Sequence, residues 1–238
     1  MNAKTPTKTP TVAPTATPAE APSSACLVDH IIVIAPSLEA GGEWVRQQLG
    51  VMPQKGGEHE RMGTHNLLLS LGPSAYLEVM AINPQASKPA MRRWFGLDDL
   101  APDATPQLHT WVACTRDLPA SLAVCTEPMH GLVPMRRGAL NWLISSPLGD
   151  VTANGGSTQA LGGLSPTLIQ WQTDQHPART LPDCGLRLLG LELHTPEVAR
   201  AERLLRALDL LGERTGDPVA VTVHRLAEGD APGLLWRF

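Results

Sequence analysis

The chain has 238 residues, a net charge of -4 and a pI near 6.0, with 42 % hydrophobic and 18 % charged residues. This balance is ordinary for a globular protein, and the length is sufficient for a substantial core. The sequence has no concentrated basic surface of the kind that binds nucleic acid, and no apolar run of the roughly 20 residues that a membrane span requires. No N-terminal apolar segment has the pattern of a signal peptide, so we expect a cytoplasmic protein.

The chain begins with a segment of biased composition. Residues 1–25 are almost entirely Thr, Pro, Ala and Ser. Such a segment buries too little apolar surface to offset the entropy of ordering it. We therefore predict a disordered tail over residues 1–25 and a folded domain over residues 27–238.

The first predicted unit spans residues 27–82 and has the order β-α-β-β-β. LVDHIIVIA, which starts at Leu27, is apolar and β-branched and predicts a buried strand. Ser37 is well placed to cap a helix that Gly50 ends. A turn-rich stretch with a short strand follows, and THNLLLSLG and AYLEVMAI predict two further strands.

The second predicted unit spans residues 107–172 and repeats this order. QLHTWVACT predicts a strand, Asp117 caps a helix, and three further strands are predicted over residues 132–135, 139–145 and 166–171. The Gly-rich stretch GDVTANGGSTQALGG lies between the last two strands. Because it lacks both the GxxxxGK[ST] pattern and a following helix, a surface insertion is favoured there over a phosphate cradle.

A shorter third unit over residues 186–238 resembles a partial repeat, with a strand, a helix that starts near Thr195-Pro196-Glu197, and final strands. The repeats predict an α+β fold. Paired βαβββ modules would form a curled, barrel-like mixed sheet with flanking helices, plus a partial third module. Two curled halves placed side by side enclose a cleft lined by inward-facing side chains.

Two residues of the first module are candidates for chemistry. The period of two places His30 on one face of its strand with Ile32, and Glu78 on one face of its strand with Met80. A carboxylate in such surroundings is costly to bury unless it is paired or bound to a cation. Glu78 is therefore the most interesting acid of the chain. The alternatives are that Glu78 is paired with an arginine or capped by a tyrosine, and that His30 is a histidine of the core.

The second module carries His109 on its first strand and Gln170 on its fourth. If the two modules are equivalent, His30, Glu78, His109 and Gln170 occupy matching positions. Two imidazoles and two oxygen donors can hold a divalent transition metal such as Zn, Mn, Ni or Fe with positions left open. The sequence thus predicts a metal site in the cleft between the modules.

Several motifs together resemble one known family, namely DHIIVIAPSLEAGGEWVRQQLGV, GTHNLLLSLG, YLEVMAI, WFGLD, the PMRRG loop and SPTLIQW. They resemble the glyoxalase-like family of the vicinal oxygen chelate superfamily over about residues 27–210. The resemblance implies paired βαβββ modules around a metal, and bidentate binding of substrates with two adjacent oxygens. It implies the same four ligands, with Gln170 where an acid is usual. Modules of this superfamily pair within one chain or between chains, so a homodimer is one expected arrangement.

Further residues are predicted to contact a small-molecule substrate. One of them, His65, could instead replace His109 as a metal ligand. Arg137 is suited to bidentate binding of a carboxylate, although a solvated surface arginine is the alternative. The tryptophans are predicted to shape the cleft or simply to pack. The predicted substrate-binding residues are His65, Asn66, Trp94, Arg137, Trp142 and Trp171.

The resemblance implies a metal-dependent lyase, isomerase or dioxygenase. In such an enzyme the metal acts as a Lewis acid that stabilises negative charge on a substrate oxygen, and Glu78 serves as the catalytic base. The alternative is a metal-free protein of the same fold that binds and sequesters a small hydrophobic molecule in the tryptophan-lined cleft.

Overall fold

The structure, a computed structural model, describes residues 25–90, 92–146, 160–214, 217–227 and 229–238. The predicted tail therefore lies outside the described residues except for Ala25. Most of the predicted Gly-rich surface insertion also lies outside them. No helix in the described part of the chain is long and apolar enough to cross a membrane.

The first module has the predicted order. Its first helix begins after Ser37, whose side chain accepts a hydrogen bond from the Ala40 N–H, and it ends at Gly50, which adopts a φ of 73°. This left-handed conformation costs glycine little, because glycine has no Cβ. The elements are β1 (Leu27–Ile34), α1 (Leu38–Leu49), β2 (Gln54–His59), β3 (Thr64–Ser70) and β4 (Tyr76–Ile82).

The second module repeats this pattern. Its helix is capped by Asp117, whose carboxylate accepts from the Ala120 N–H at 3.0 Å. A long segment separates its last two strands, and the described part of that segment ends in a 3-10 turn over Ala160–Gly163. The elements are β5 (Gln107–Cys114), α2 (Leu118–Val124), β6 (His130–Arg137), β7 (Leu140–Ser146) and β8 (Thr167–Trp171).

The two modules join through β1 and β5 into one eight-stranded sheet of order β2-β3-β4-β1-β5-β8-β7-β6. β1 runs parallel to β4 and antiparallel to β5, and β5 runs parallel to β8. One face of the sheet packs against α1 and α2 in the main core, which includes Ile31, Leu77 and Trp111. The opposite face carries a second apolar cluster, which includes Ile32 and Val112. The predicted fold class is confirmed.

The C-terminal residues form a second sheet of order β10-β11-β9-β12, in which β9 and β11 are parallel, as β1 and β4 are. Its apolar residues Leu191 and Leu193, together with Leu204 of the following helix, join the main core. The elements are α3 (Pro177–Thr180), β9 (Gly190–Thr195), α4 (Val198–Ala207), β10 (Gly212–Arg214), β11 (Asp217–Arg225) and β12 (Gly233–Arg237).

Candidate functional site

A pocket lies on the face of the eight-stranded sheet opposite α1 and α2. Its cavity of about 30 Å³ has room for one or two water molecules. The polar lining comes mainly from the first module, and the apolar wall comes from both. The pocket is lined by His30, Ile32, His59, Tyr76, Glu78, Met80, Trp94, Phe95, Val112, Arg137, Trp142, Ile144, Ile169 and Trp171.

Adjacent parallel strands bring His30 and Glu78 together. β1 and β4 pair so that His30 lies opposite Tyr76 and Ile32 opposite Glu78, and all four side chains line the pocket. His30 Nε2 lies 3.4 Å from Glu78 Oε2, and both side chains are buried. The His30 ring also stacks on Tyr76 with centroids 4.5 Å apart. The period of two therefore predicted correctly which faces of these strands meet.

Asp29 fixes the orientation of the His30 ring. A register shift between Val28 and His30 leaves Asp29 as the extra residue of a β-bulge, a feature that often re-aims a side chain next to a site. Its fully buried carboxylate lies 2.6 Å from His30 Nδ1. Since a carboxylate only accepts, His30 donates from Nδ1, and the Nε2 lone pair of its neutral form faces the pocket.

Two further donors reach the Asp29 carboxylate. Trp171 Nε1 donates to Oδ2 at 2.9 Å, and His176 Nε2 lies 3.0 Å from the same oxygen. Burial acts to raise the pKa of Asp29. The hydrogen bonds from His176 and His30 outweigh this effect and hold the pKa below its ordinary value. Asp29 is therefore an anion at neutral pH.

Glu78 is the central acid of the pocket. Asn66 Nδ2 donates to its Oε1. His59 Nε2 and Arg137 Nη1 each lie 3.8 Å from that oxygen. Burial alone would raise the pKa of Glu78, but attraction to His59, His30 and Arg137 and the hydrogen bond from Asn66 lower it below its usual range. A buried carboxylate with this many partners is held both as an anion and in one orientation.

His59 is a pocket residue that sequence reasoning missed. It ends β2 and is 3 % exposed, with Nδ1 3.2 Å from Thr64 Oγ1 and Nε2 3.3 Å from Arg137 Nη1. Because Arg137 only donates, His59 Nε2 accepts this hydrogen bond. Burial is the main cause that lowers the pKa of His59 to about 4. The strand sequence QKGGEH shows no apolar alternation, so nothing in it indicated which side chain faces inward.

Arg137 is the charged contribution of the second module. It lies at the end of β6 and reaches across to Glu78 and His59 of the first module. Its guanidinium also lies over the Trp142 ring, 5.9 Å from the centroid. A Cβ at Gly57 would lie 2.7 Å from Arg137 Cδ, so the absence of a side chain at Gly57 leaves room for the arginine.

Trp94 and Phe95 form another wall of the pocket. Their rings stack with centroids 5.6 Å apart, and both side chains are buried. Phe95 has a φ of 57°, a left-handed conformation that is uncommon for a bulky residue. The buried Trp94 Nε1 has no hydrogen-bond acceptor among the described residues. Such an unpaired buried donor is uncommon in a folded protein.

Most of the predicted substrate-binding residues lie at this pocket. Asn66 holds the Glu78 carboxylate rather than lining the cavity. His65 pairs with Ala81 on the other face of β3 and does not line the pocket. The predicted residues that do line it are Trp94, Arg137, Trp142 and Trp171.

The structure does not bring His109 and Gln170 to His30 and Glu78. The ladder of β1 and β5 pairs Ile32 with Thr110 and Val33 with Leu108, so His109 is the extra residue of a bulge. Its ring contacts the edge of Phe95 with centroids 6.4 Å apart, outside the pocket lining. Gln170 faces α2 instead, where its Oε1 accepts from the Leu118 N–H at 3.0 Å. The predicted four-ligand cluster is therefore not formed.

The donors that do meet do not form a metal centre either. His30 Nε2 and Glu78 Oε2 lie side by side, but the lone pair of the nearest third donor, His59 Nε2, accepts the hydrogen bond from Arg137. Within the described ranges, no group of three or more His, Cys, Asp or Glu residues is arranged to hold a metal ion. Arg137 Nη1 lies 3.8 Å from Glu78 Oε1 and donates to His59 Nε2, so the positive charge beside this carboxylate comes from a guanidinium.

Comparison with known proteins gives one family and a set of solved structures. The sequence profile of the glyoxalase-like domain matches residues 28–208. A search among curated proteins finds no match. A hypothetical protein from Staphylococcus aureus shares the fold with a TM-score of 0.59 and 14 % identity, over 87 % of this chain and 88 % of that one.

Two epimerases are more distant in structure. Methylmalonyl-CoA epimerase from Mycobacterium tuberculosis is 17 % identical, with 64 % of this chain and 91 % of that one covered and a TM-score of 0.41. A variant of methylmalonyl-CoA epimerase from Streptomyces coelicolor is 16 % identical, with 62 % and 98 % covered and a TM-score of 0.42.

Proposed function

This chain belongs to the glyoxalase-like domain family, and on that premise we propose that it is an enzyme that moves a proton on a small substrate with two adjacent oxygens. The reaction class is proton abstraction next to a carbonyl group, as in isomerases and lyases. The observation that carries the proposal is the buried Asp29–His30 pair, which turns His30 Nε2 toward the pocket beside Glu78.

His30 is the proposed acid–base residue. Asp29 holds Nδ1 as the donor, so Nε2 is free to take a proton from a substrate carbon and to return it. The same carboxylate stabilises the imidazolium that forms, which is the role of the acid in a Ser-His-Asp triad. Glu78, 3.4 Å from Nε2, adds a second negative charge beside that imidazolium.

Arg137 and Trp94 are the proposed binding groups for substrate oxygens. When a proton leaves the carbon next to a carbonyl, negative charge develops on the oxygen. A guanidinium fixed in a buried, largely apolar pocket stabilises such charge without reorganisation. Arg137 is 12 % exposed and is held by Glu78 and His59, and the unpaired Nε1 of Trp94 supplies a second donor. Two donors suit a substrate with two adjacent oxygens.

The metal-dependent form of this activity, expected from the sequence, would require Arg137 to leave His59. In the present arrangement the donors do not form a metal site, so the proposal assigns the stabilising positive charge to the guanidinium instead. The runner-up is a binding protein, favoured by the small cavity and by the predominance of apolar and aromatic residues in its wall.

Solvent exchange tests the proposal. The full chain is incubated in D2O with a panel of 2-oxo acids and hydroxyketones in the presence of a metal chelator, and loss of C–H signal is followed by proton NMR. At least one compound is expected to exchange in the presence of the chelator. His30→Gln is expected to slow this exchange by at least about 100-fold, the lower end of the contribution of a positioned acid–base group.

His109→Gln is the matched control, because it removes a partly buried histidine outside the pocket lining. It is expected to leave exchange unchanged. Exchange that the chelator abolishes would replace the proposal with the metal-dependent form. Saturable binding of panel compounds without any exchange would favour the binding protein.

A further inference from the structure

A second, larger cavity shares a lining residue with the pocket. Its volume is about 480 Å³, compared with about 30 Å³ for the pocket. Cavities of a few hundred Å³ are the usual size of small-molecule sites. Trp171 lines both spaces. We call the larger space the outer cavity, defined by Arg116, Trp171, Asp174, His176, Arg179 and their neighbours.

Hydrogen bonds connect the outer cavity to the pocket. His176 lines the outer cavity, and its Nδ1 accepts from the Ala178 N–H at 3.2 Å. In the neutral ring the proton is therefore on Nε2, which donates to Asp29 Oδ2 at 3.0 Å. Trp171 donates to the same oxygen, and Asp29 Oδ1 accepts from His30. One buried carboxylate thus joins a wall residue of the outer cavity to the acid–base residue of the pocket.

The charges of the outer cavity favour an anion. Arg116 and Arg179 both line it, and neither forms an ion pair with another residue in the described ranges, whereas Arg93 and Arg187 do. Asp174 is also in the lining and is not paired with either arginine. Two guanidinium groups and one carboxylate leave a net positive charge at a space large enough for a ligand, and both arginines are exposed and so accessible to an anion. Guanidinium groups match the geometry of carboxylates and phosphates.

We propose that the outer cavity is an anion-binding site that takes the carboxylate or phosphate group of a small molecule at Arg116 and Arg179. Trp171 and His176 form its wall toward the pocket. The anion has two conceivable sources, the far end of the substrate itself or a separate small anion. Only one part of this proposal rests on the proposed function, namely that the anion can belong to the substrate bound in the pocket. The arginines and the outer cavity do not depend on that function.

Inorganic phosphate is the probe that tests the site, titrated into the full chain by calorimetry and by NMR of the tryptophan indole N–H groups. We expect saturable binding and a shift of the Trp171 indole signal. The double variant Arg116→Gln/Arg179→Gln should weaken binding by about ten-fold or more, as the loss of charge-assisted hydrogen bonds predicts. Arg203→Gln/Arg225→Gln, which removes two exposed arginines elsewhere, should leave it unchanged.

A second titration, with pyruvate and with 2-oxoglutarate, identifies the source of the anion. Both compounds are 2-oxo acids, and 2-oxoglutarate has an additional carboxylate at its far end. If the anion is part of the substrate, phosphate competes with 2-oxoglutarate, and the outer double variant weakens 2-oxoglutarate but not pyruvate. If it is a separate molecule, phosphate and 2-oxoglutarate bind together. Either pattern supports the site.

Two results would overturn the site: no saturable phosphate binding to the unmodified chain, or equal affinity in the outer double variant. Failure of the proposed function appears elsewhere, as unchanged deuterium exchange in His30→Gln. The two ideas are therefore rejected by different measurements.

Discussion

The strands of the first module bring His30, His59 and Glu78 to the pocket, whereas β5, β7 and β8 of the second module bring apolar residues such as Val112 and Ile169. Both modules have the same order of elements and meet in one continuous sheet. A repeated topology therefore does not require repeated chemistry. The fold needs only the apolar pattern of each strand, and an individual pocket position is free to hold a charge or an apolar side chain.

The charged half of the pocket depends on the other half through one residue. Arg137 is the second-module cation that faces Glu78 and His59. A buried acid without a nearby cation is costly, so Glu78 and Arg137 stabilise each other's burial. The asymmetry between the modules can be tested by removing a charged side chain from the first module and part of an apolar side chain from the second.

The largest effect on stability is expected for Glu78→Ala. It leaves Asn66 without its acceptor and Arg137 without the carboxylate that balances its charge, so the free energy of unfolding should fall by about 3–5 kcal/mol. Ile169→Val removes one buried methylene from the apolar half and should cost about 1 kcal/mol. Urea denaturation measures both. Equal losses of unfolding free energy in the two variants would mean that the charged cluster contributes no more to stability than the apolar half of the pocket.

The next effect concerns pH and His59. Its pKa is about 4 in the folded protein and about 6.5 in an unfolded chain, so the unfolded state binds the extra proton between these values. The contribution of His59 to stability is therefore complete above about pH 6.5 and is lost as the pH drops to about 4, by roughly 3 kcal/mol. Burial also lowers the pKa values of His65 and His109, so both add losses below about pH 6.5. The lowered pKa values of Asp29 and Glu78 add further losses below about pH 4.5.

His59→Gln should flatten this part of the curve of unfolding free energy against pH. His224→Gln removes a histidine of the C-terminal sheet whose side chain is 45 % exposed, and serves as the control that keeps the slope. An unchanged slope in His59→Gln would show that His59 is not held neutral by burial.

The smallest effect is expected for Gln170→Ala. Its side chain accepts from the Leu118 N–H at the start of α2, so the loss should be about 1 kcal/mol of unfolding free energy. Deuterium exchange and ligand binding at the pocket should not change, because Gln170 faces away from it. A clear change in deuterium exchange or in ligand binding would show that Gln170 does act at the pocket.

Local patterns predicted the modules and one half of the site. Alternation within β1 and β4 placed His30 and Glu78 on one face, and the caps Ser37 and Asp117 marked where two helices begin. These features depend only on neighbours in sequence, which is why a single chain reveals them.

The errors in the predicted site arose where the register between strands distant in sequence determines which way a side chain faces. His109 was matched to His30 by its place in the repeat, but a bulge removes it from the ladder, and Val112 is the residue paired with His30. A shift of one residue turns a strand side chain to the other face, as Gln170 illustrates beside Ile169. His59 reaches the pocket through the pairing of β2 with β3, which QKGGEH alone does not specify.

Metal content tests most directly the central claim that the guanidinium of Arg137 takes the place of a metal beside Glu78. The full chain is purified without chelator, dialysed against excess zinc and then against metal-free buffer, and analysed by elemental mass spectrometry with His30→Gln as the reference for metal bound elsewhere. The unmodified chain should hold no more zinc than His30→Gln, while Arg137→Ala, which frees His59 Nε2, should hold more. One additional equivalent of zinc in the unmodified chain over His30→Gln would contradict the account.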